Sequence, residues 1–482
     1  MGGIVGFGVL IYIIGMLIIG FWASKRVHNL ADFLVAGRRI PYPLAVATLL
    51  ATWYGAGSCM GASGTAYSEG LLGVVSDPFA AGTSLILAGL FYVAFLRRLQ
   101  LLTITDIFGK YYSKNAEIAA SVLMVPVYIG WLGSQMVALG YIVHLLTGID
   151  PLIGITIGGV VVLVYTFAGG MWAVAVTDFV QIIVLIIGLL VILPSVLAEV
   201  GGLSSLFSQT PPEMLKFFPT GEGYHGWVGY IGQWTLMGLG CIVGQDLIQR
   251  SLSSKNERVA RTSAVTAGIM YIALGAIPII LGFAGRIIFP DLSDPEHIMP
   301  TLAMKFLSPV MVMLFIGALI SAIMSSADSS LLAATSLTTN NIILRLFPTI
   351  KEERVLPLAR IITVIMAILS MGVALYVKQI YDLMVNSWAT LFVGIFVPVT
   401  AALYWKKANV WAAWASMIFG TGTWIVYIIV KTGTLQDVSD SIFYEAAAYG
   451  GLVSFVSYVV TTLARYNKIP DIELASSIPE QV

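Results

Sequence analysis

The sequence predicts an all-α integral membrane protein with about 13 transmembrane helices. Of its 482 residues, 58% are hydrophobic and only 10% are charged, and the mean hydropathy is +0.91. Soluble domains carry about 25% charged residues, so this composition indicates a chain that lies in a bilayer. Apolar runs near the ~20 residues that a spanning helix needs support the same class. These runs lie at residues 3–23, 42–67, 76–96, 117–146, 151–168, 174–197, 226–247, 262–285, 306–340, 358–377, 381–404, 409–430 and 445–464.

Composition also excludes several functions. The formal net charge is zero, which gives no case for nucleic-acid binding. Cys59 and Cys241 both fall in apolar segments and form neither a metal-binding spacing nor a disulfide framework. The sequence has no nucleophile-elbow motif and no phosphate-binding loop, so we do not expect an enzyme. We expect the chain to lie in a lipid bilayer, and the sequence indicates no obligate protein partner.

The basic residues predict how the chain is oriented. If the N-terminus lies outside, five of the 25 lysines and arginines are external and the other twenty are internal, as the positive-inside rule requires. The external residues are Lys216, Arg286, Lys305, Lys378 and Lys431. The C-terminus then lies in the cytoplasm. The short loops favour a location in the plasma membrane, which would be the inner membrane of a prokaryotic cell.

Two spans carry clusters of glycine. The second span reads ATWYGAGSCMGASGTAY, and the seventh reads IGQWTLMGLGCIVGQDLIQR. Each glycine weakens a helix by up to ~1 kcal/mol relative to alanine, so both clusters indicate broken helices. Close helix packing through small residues is the alternative. Because the two spans are five apart, the pattern favours an inverted repeat with solute and ions at the membrane midplane.

The ninth span fills with hydroxyl groups around a carboxylate. In the stretch Phe315–Asn341, Asp328 lies in a close run of hydroxyl residues, which are Ser325, Ser326, Ser329, Ser330, Thr335 and Ser336. At about 100° per residue, Ala322, Ser325 and Ser329 share one helix face, and Ser326 and Asp328 flank it. Hydroxyl, carbonyl and carboxylate oxygens suit a small hard cation such as sodium. A polar seam between packed helices is the alternative.

Asp178 is a second carboxylate at membrane depth. The stretch around it, TFAGGMWAVAVTDFVQIIVLIIGLL, contains no arginine or lysine. A buried carboxylate needs a partner, and a bound cation would supply one. Alternatively, Asp178 caps a helix near the cytoplasm.

On these residues the sequence resembles the sodium/solute symporter family. The matching motifs are AGRRIP (36–41), ATWYGAGSCMG (51–61), GGMWAVAVTDFVQ (169–181), GQDLIQRSLSSK (244–255), SAIMSSADSS (321–330) and FVPVTAALYWKK (396–407). The resemblance implies a five-plus-five inverted repeat of the amino-acid-transporter type. Residues 1–35 would form an extra helix, 36–200 and 201–405 the two repeats, and 406–482 two further helices and a cytoplasmic tail.

The resemblance also implies two sodium sites. The first site combines backbone carbonyls at the break of the second span with a carbonyl and hydroxyls of the ninth. On this chain the matching residues are Ala51, Tyr54, Ala322, Ser325 and Ser326. The second site, found in some members, would comprise Asp178, Ser325, Asp328 and Ser329. Here Asp328 replaces a hydroxyl of some relatives, which makes the second site more acidic.

For the solute, SAIMSSADSS and ATW look most like the sodium-coupled choline transporter branch. In that branch tryptophans surround a quaternary ammonium through cation–π contacts. Trp53 and Trp131 stand at two cage positions, and Gly244 stands at the third. Asp246 could bind an amine, or it could have a structural or gating role.

Ser58 and Gln135 are further candidates for the pocket because each lies one turn from a proposed site residue. Together these features predict sodium-coupled uptake of a small organic solute by alternating access, with an amine or amino-acid-like solute favoured. A carboxylate, a vitamin or a sugar remains open. A sodium channel or a membrane sensor ranks below transport.

Overall fold

The computed structural model describes residues 2–221, 223–376, 388–434, 438–466 and 472–474. Within these residues the protein has no β-strand, and one isolated bridge joins Ile40 and Ser254. Lys378 and most of the predicted tail after Lys468 lie outside the described residues. The all-α prediction is therefore confirmed.

In the described residues up to Glu199 the chain forms nine α-helices. They are α1 (Gly2–Ser24), α2 (Leu30–Val35), α3 (Tyr42–Trp53), α4 (Ala62–Glu69), α5 (Ala81–Phe91), α6 (Val93–Arg98), α7 (Asp106–Tyr111), α8 (Lys114–Thr147) and α9 (Pro151–Glu199). A 3-10 turn covers Ala36–Arg38, and π-helical segments cover Gly57–Gly61 and Val75–Ala80.

The described residues after Glu199 form eleven further α-helices. They are α10 (Leu203–Gln209), α11 (Gly223–Thr235), α12 (Gln245–Ser253), α13 (Glu257–Ile288), α14 (Ile298–Phe306), α15 (Pro309–Ser336), α16 (Leu344–Leu346), α17 (Glu352–Tyr376), α18 (Val397–Tyr404), α19 (Val410–Thr432) and α20 (Asp440–Ala464). 3-10 turns cover Pro212–Leu215, Cys241–Val243 and Pro295–His297, and π-helical segments cover Leu236–Gly240, Leu337–Ile343 and Leu391–Phe396.

The described helices include seven that are long and apolar enough to cross a membrane, and the bent pair of α3 with Gly57–Glu69 makes eight. Several predicted spans are represented by shorter apolar helices, such as Val75–Phe91, Pro151–Val164 and Trp388–Tyr404. The multi-pass architecture is thus confirmed, and the total of about 13 stays a prediction.

Predicted spans five and six correspond to the two parts of α9, which are separated by a kink at Gly170. The backbone there has φ 50° and ψ −148°, a conformation that glycine adopts without steric cost. A Cβ at this position would also lie 2.5 Å from the carbonyl oxygen of Phe33. Glycine is therefore required both for the bend and for the close approach of the neighbouring chain.

Both predicted helix breaks are present. The axis turns by 61° between α3 and the helical segment Gly57–Glu69. In the seventh span, α11 gives way to π-helical and 3-10 turns, and Gly244 (φ −61°, ψ 131°) separates them from α12. The glycine clusters therefore mark interrupted helices and not only close packing.

Several segments that the charge pattern assigns to the inner side meet at one end of the molecule. Arg98 pairs with Glu257 at 2.7 Å, and Arg345 Nε lies 2.7 Å from Glu117 Oε1. Arg97 Nε donates to the carbonyl oxygen of Ser254 at 2.9 Å. These contacts join the segments at that end of the helix bundle.

Helix α19 offers a matched test of its packing against α20. A Cβ at Gly420 would collide with the carbonyl oxygen of Val393 and lie 2.7 Å from Ser454 Cβ, whereas a Cβ at Gly422 would meet nothing within 4 Å. We expect Gly420→Ala to destabilise the protein by about 1–3 kcal/mol through overpacking. Thermal unfolding in detergent should show a lower melting temperature for Gly420→Ala and an equal or higher one for Gly422→Ala. Equal effects would contradict the packing.

Candidate functional site

The break after α3 lies against α15. Tyr54 ends the helix (φ −85°, ψ 70°), and the Gly55 amide donates to the Trp53 carbonyl at 3.0 Å instead of the Ala51 carbonyl that a continued helix would offer. From α15, the hydroxyl of Ser326 donates to the Thr52 carbonyl at 2.6 Å. Backbone oxygens and serine hydroxyls therefore meet at one buried place.

The five residues of the predicted first sodium site all lie in this buried region. Ala51, Tyr54, Ala322, Ser325 and Ser326 are each at most 2% exposed. The break and α15 supply carbonyl and hydroxyl oxygens, which are the ligands that hard cations prefer. Among the described residues, no group of three His, Cys, Asp or Glu side chains could hold a metal ion. The donor set thus fits sodium.

A glycine makes the approach of the break to α15 possible. A Cβ at Gly55 would lie 2.9 Å from Gln135 Oε1 and still closer to the side chain of Ser326. Gln135 Oε1 in turn accepts a hydrogen bond from the Ala56 amide at 2.9 Å. Gln135, a predicted pocket residue, therefore supports the backbone of the broken helix.

The second predicted sodium site centres on Asp178. Its Oδ1 accepts from the Ser325 hydroxyl at 2.6 Å, and its Oδ2 accepts from the hydroxyl of Thr48. Thr48 escaped the sequence reasoning, although it lies one turn before Thr52 on α3. Asp178 sits well inside α9, so the alternative that it caps a helix is wrong.

The other two members of that site are adjacent to it. The Ser329 hydroxyl lies 2.5 Å from the Ser325 carbonyl and 3.0 Å from Asp328 Oδ1. Thr52 Oγ1 lies 3.1 Å from the same hydroxyl. The structure therefore brings the predicted residues of the second site together, and each of them is fully buried.

Arg250 overturns one premise of the sequence analysis. The charge pattern placed Arg250 in an inner loop and left Asp178 without a basic neighbour. In the structure Arg250 is fully buried, and its Nη2 lies 3.8 Å from Asp178 Oδ2. The break at Gly244 is the reason, because α12 starts at membrane depth and carries Arg250 into the core.

A small aromatic cavity lies beside the two breaks. Its volume is about 20 Å³, and its lining residues are Trp53, Asp77, Ala81, Trp131, Met237, Cys241, Tyr271 and Trp388. The ring centroids of Trp131 and Trp388 are 5.1 Å apart, and Trp53 lies 6.1 Å from Trp388. Trp53 and Trp131 line this cavity as the sequence predicts.

Trp388 and Tyr271 are the aromatic residues of the cavity that the sequence did not predict. Gly244 stands at the third cage position, and a Cβ there would lie only 3.2 Å from Trp388 Cζ3. The missing side chain at Gly244 therefore leaves room for a tryptophan from a distant segment. Trp388 is 3% exposed, and its Nε1 makes no hydrogen bond to any described residue.

Asp77 is a further residue that the sequence did not predict. Its carboxylate accepts hydrogen bonds from Ser58 Oγ at 2.7 Å and from the Tyr271 hydroxyl at 2.6 Å. The signal was present as an acid at the start of the apolar run 76–96. Ser58, a predicted pocket residue, thus contacts the cavity's carboxylate and does not line the cavity itself.

Asp246 contacts the aromatic cavity residue Trp53 from outside the cavity. It accepts from Trp53 Nε1 at 2.6 Å and from the Tyr128 hydroxyl at 3.2 Å, and it is not part of the cavity lining. Since Trp53 ends α3 and Asp246 begins α12, this hydrogen bond joins the two broken helices. The geometry favours the structural role of Asp246 over direct solute binding.

Comparison with known proteins identifies the family of this chain. The model of the sodium:solute symporter family matches residues 33–420. The high-affinity choline transporter 1 of Caenorhabditis elegans is 28% identical over 447 residues, covering 84% of this chain and 74% of that protein. The sodium/pantothenate symporter of Haemophilus influenzae is 25% identical over 456 residues, covering 91% and 93%.

A solved structure shares the fold. The substrate-bound, outward-open state of a Na⁺-coupled sialic acid symporter has a TM-score of 0.81 at 19% identity, covering 98% of this chain and 99% of that one. The matched relatives are transporters and not enzymes, as expected. The chain belongs to the sodium:solute symporter family, whose members couple the uptake of a solute to sodium.

Proposed function

We propose that this protein takes up a small organic cation, an amine, together with sodium. The observation that carries the proposal is Asp77, a carboxylate only 1% exposed that lines a cavity of aromatic rings. The faces of tryptophan and tyrosine rings attract cations, and a buried carboxylate requires a positive partner. An ammonium group would satisfy both.

Other solute classes fit this lining less well. An anionic solute would be repelled by Asp77, and a sugar needs several polar partners where the cavity offers mainly rings. The likeness to choline transporters and to the osmoregulated proline transporter of Bacillus subtilis supports an amine or amino-acid-like solute. The likeness to a sodium/pantothenate symporter supports the alternative, a carboxylate or vitamin solute.

Transport would proceed by alternating access. A cavity of about 20 Å³ is too small for a small organic solute, since ligand pockets measure roughly 300–1,000 Å³. The rings must therefore separate when the solute enters. The ion pair of Arg98 with Glu257 would keep the inner end closed at that stage and would break when the bundle opens inward.

Sodium would bind at two places. The first site would use the carbonyls of Ala51, Tyr54 and Ala322 with the hydroxyls of Ser325 and Ser326. The second site would use the side chains of Asp178, Ser325, Asp328 and Ser329, with Thr48 as an additional ligand. An ion at the first site would fix the break next to Trp53 and so prepare the solute cavity.

Two ions would give a strong driving force. Each charge that crosses the membrane contributes ~2.3 kcal/mol per 100 mV. Two sodium ions with a monovalent organic cation would contribute ~6.9 kcal/mol, or about 10⁵-fold accumulation at ~1.4 kcal/mol per decade. With a neutral solute, the same two ions would give roughly 2,000-fold.

The predicted domains and location complete the proposal. Residues 36–200 and 201–405 would form the inverted repeats, and residues 1–35 and 406–482 would lie outside them. A bacterial relative of nearly the same length supports the inner membrane of a prokaryote. The N-terminus would face outward and the C-terminus the cytoplasm, and transport would need only solute, sodium and the bilayer.

Asp77→Asn tests the solute class. The amide keeps the shape of the side chain and removes its charge, so we expect the KM for amine uptake to rise at least about tenfold. Sodium binding without solute should be unchanged. The control is Asp291→Asn, which alters an exposed loop residue. Wild-type amine uptake by Asp77→Asn would contradict a cationic solute.

Trp388→Leu tests the aromatic cage. Leucine keeps the site apolar and removes the ring that faces Trp53 and Trp131, so we expect about a tenfold higher KM for an amine, the order of one cation–π contact. Trp411→Leu is the matched control, because Trp411 is 58% exposed on α19. If both variants transport like the wild type, Trp388 does not contact the solute.

Asp178→Asn tests the second sodium site. Removing the carboxylate should weaken sodium at that site and leave the first site in place. We therefore expect the Hill coefficient for sodium-driven uptake to fall towards one. A coefficient that stays at the wild-type value would rule out the second site.

A further inference from the structure

We propose that Arg250 is a built-in cation that competes with sodium for Asp178, and that its displacement connects the second sodium site to the solute cavity. The inference rests on the proposed second site. It concerns how that site is filled and released, and it does not depend on which solute the cavity takes.

The guanidinium group of Arg250 lies beside two residues of the proposed second site, Ser329 and Asp178. Arg250 is fully buried, and its Nη2 donates to the hydroxyl of Ser329 while lying 3.8 Å from Asp178 Oδ2. A buried guanidinium and a buried carboxylate each need the other, because neither has water as a partner. Arg250 therefore neutralises Asp178 in this conformation.

The ion pair of Arg250 with Asp178 has a long N–O distance. Bidentate arginine–carboxylate pairs have N–O distances of about 2.7–2.9 Å, well below the 3.8 Å found here. The remaining contacts of Arg250 go to backbone carbonyls, at 3.3 Å to Thr48 and 3.1 Å to Asp246. The guanidinium thus supplies charge to Asp178 without being locked onto it.

The guanidinium group of Arg250 and a sodium ion cannot both occupy the second site. Asp178 and Ser329 are both ligands of the proposed second site, and both face the Nη2 atom of Arg250. Hard cations bind oxygens at about 2.3–2.6 Å, so an ion that bridges these two side chains would occupy the place of Nη2. Sodium can enter only if the guanidinium withdraws.

A displaced guanidinium group has a second buried carboxylate close by, that of Asp246. Asp246 lies one helical turn before Arg250 on α12, and its backbone carbonyl already accepts from Nη1. The Asp246 carboxylate is bonded to Trp53 Nε1 at 2.6 Å. A displaced guanidinium would move towards this carboxylate and compete with the indole of Trp53. Sodium binding would thereby loosen a wall of the cavity.

A fixed structural ion pair makes the opposite prediction. If Arg250 only stabilises Asp178, its removal disturbs the site and weakens sodium binding. If Arg250 competes with sodium, its removal leaves a carboxylate that sodium alone can neutralise. The two roles therefore differ in the sign of one measurable effect.

The test is binding of radioactive sodium to purified protein without any solute. We compare the wild type with Arg250→Gln, which removes the charge, and Arg250→Lys, which keeps it. Competition predicts that half-saturating sodium falls at least about tenfold in Arg250→Gln, since a like charge leaves the site. Arg250→Lys should stay within about threefold of the wild type. Arg354→Gln, which alters an exposed residue of α17, should bind sodium normally.

Three results would overturn the proposal. They are unchanged or weaker sodium binding by Arg250→Gln, equal binding by the Gln and Lys variants, and an Arg250→Gln protein that stays unfolded in saturating sodium. The last result counts because sodium should replace the guanidinium at Asp178. Amine transport is tested separately, by measuring amine uptake with the wild-type protein. The two proposals can therefore fail independently.

Discussion

A helix that breaks inside a bilayer leaves backbone amides and carbonyls that lipid cannot satisfy. At the break after α3 these groups find side-chain partners. Gln135 accepts from the Ala56 amide, and Ser326 donates to the Thr52 carbonyl. The side chains that satisfy the break are also candidates for binding sodium or solute, so support and site cannot be separated.

This sharing gives a physical basis for coupling. Trp53 is the last residue of α3, directly before the non-helical Tyr54, and its indole is held by Asp246 at the start of α12. Anything that fixes or shifts the first break therefore also reorients a wall of the cavity. Because two broken helices meet through one hydrogen bond, a small change at the proposed ion sites reaches the cavity without a long chain of contacts.

Local patterns explain which features the sequence could predict. Glycine clusters mark both breaks, and the serine–aspartate run of α15 places Ser325 and Ser329 on one face through helical periodicity. Arg250 was misplaced because a basic residue near the end of a span normally marks a loop. Trp388 and Asp77 were missed because their roles depend on contacts between distant segments. Trp388 occupies the space that Gly244 leaves open, and Asp77 accepts hydrogen bonds from Ser58 and Tyr271.

Charge balance favours a cationic solute independently of ring geometry. Four carboxylates, Asp77, Asp178, Asp246 and Asp328, and one guanidinium, Arg250, lie at most 1% exposed around the two breaks. If all are ionised, they leave three negative charges in a region where unbalanced charge is costly. Two sodium ions and one monovalent organic cation would balance them. With two sodium ions bound as proposed, a neutral sugar in the same cavity would leave one buried negative charge without a partner, whereas the proposed amine would balance it.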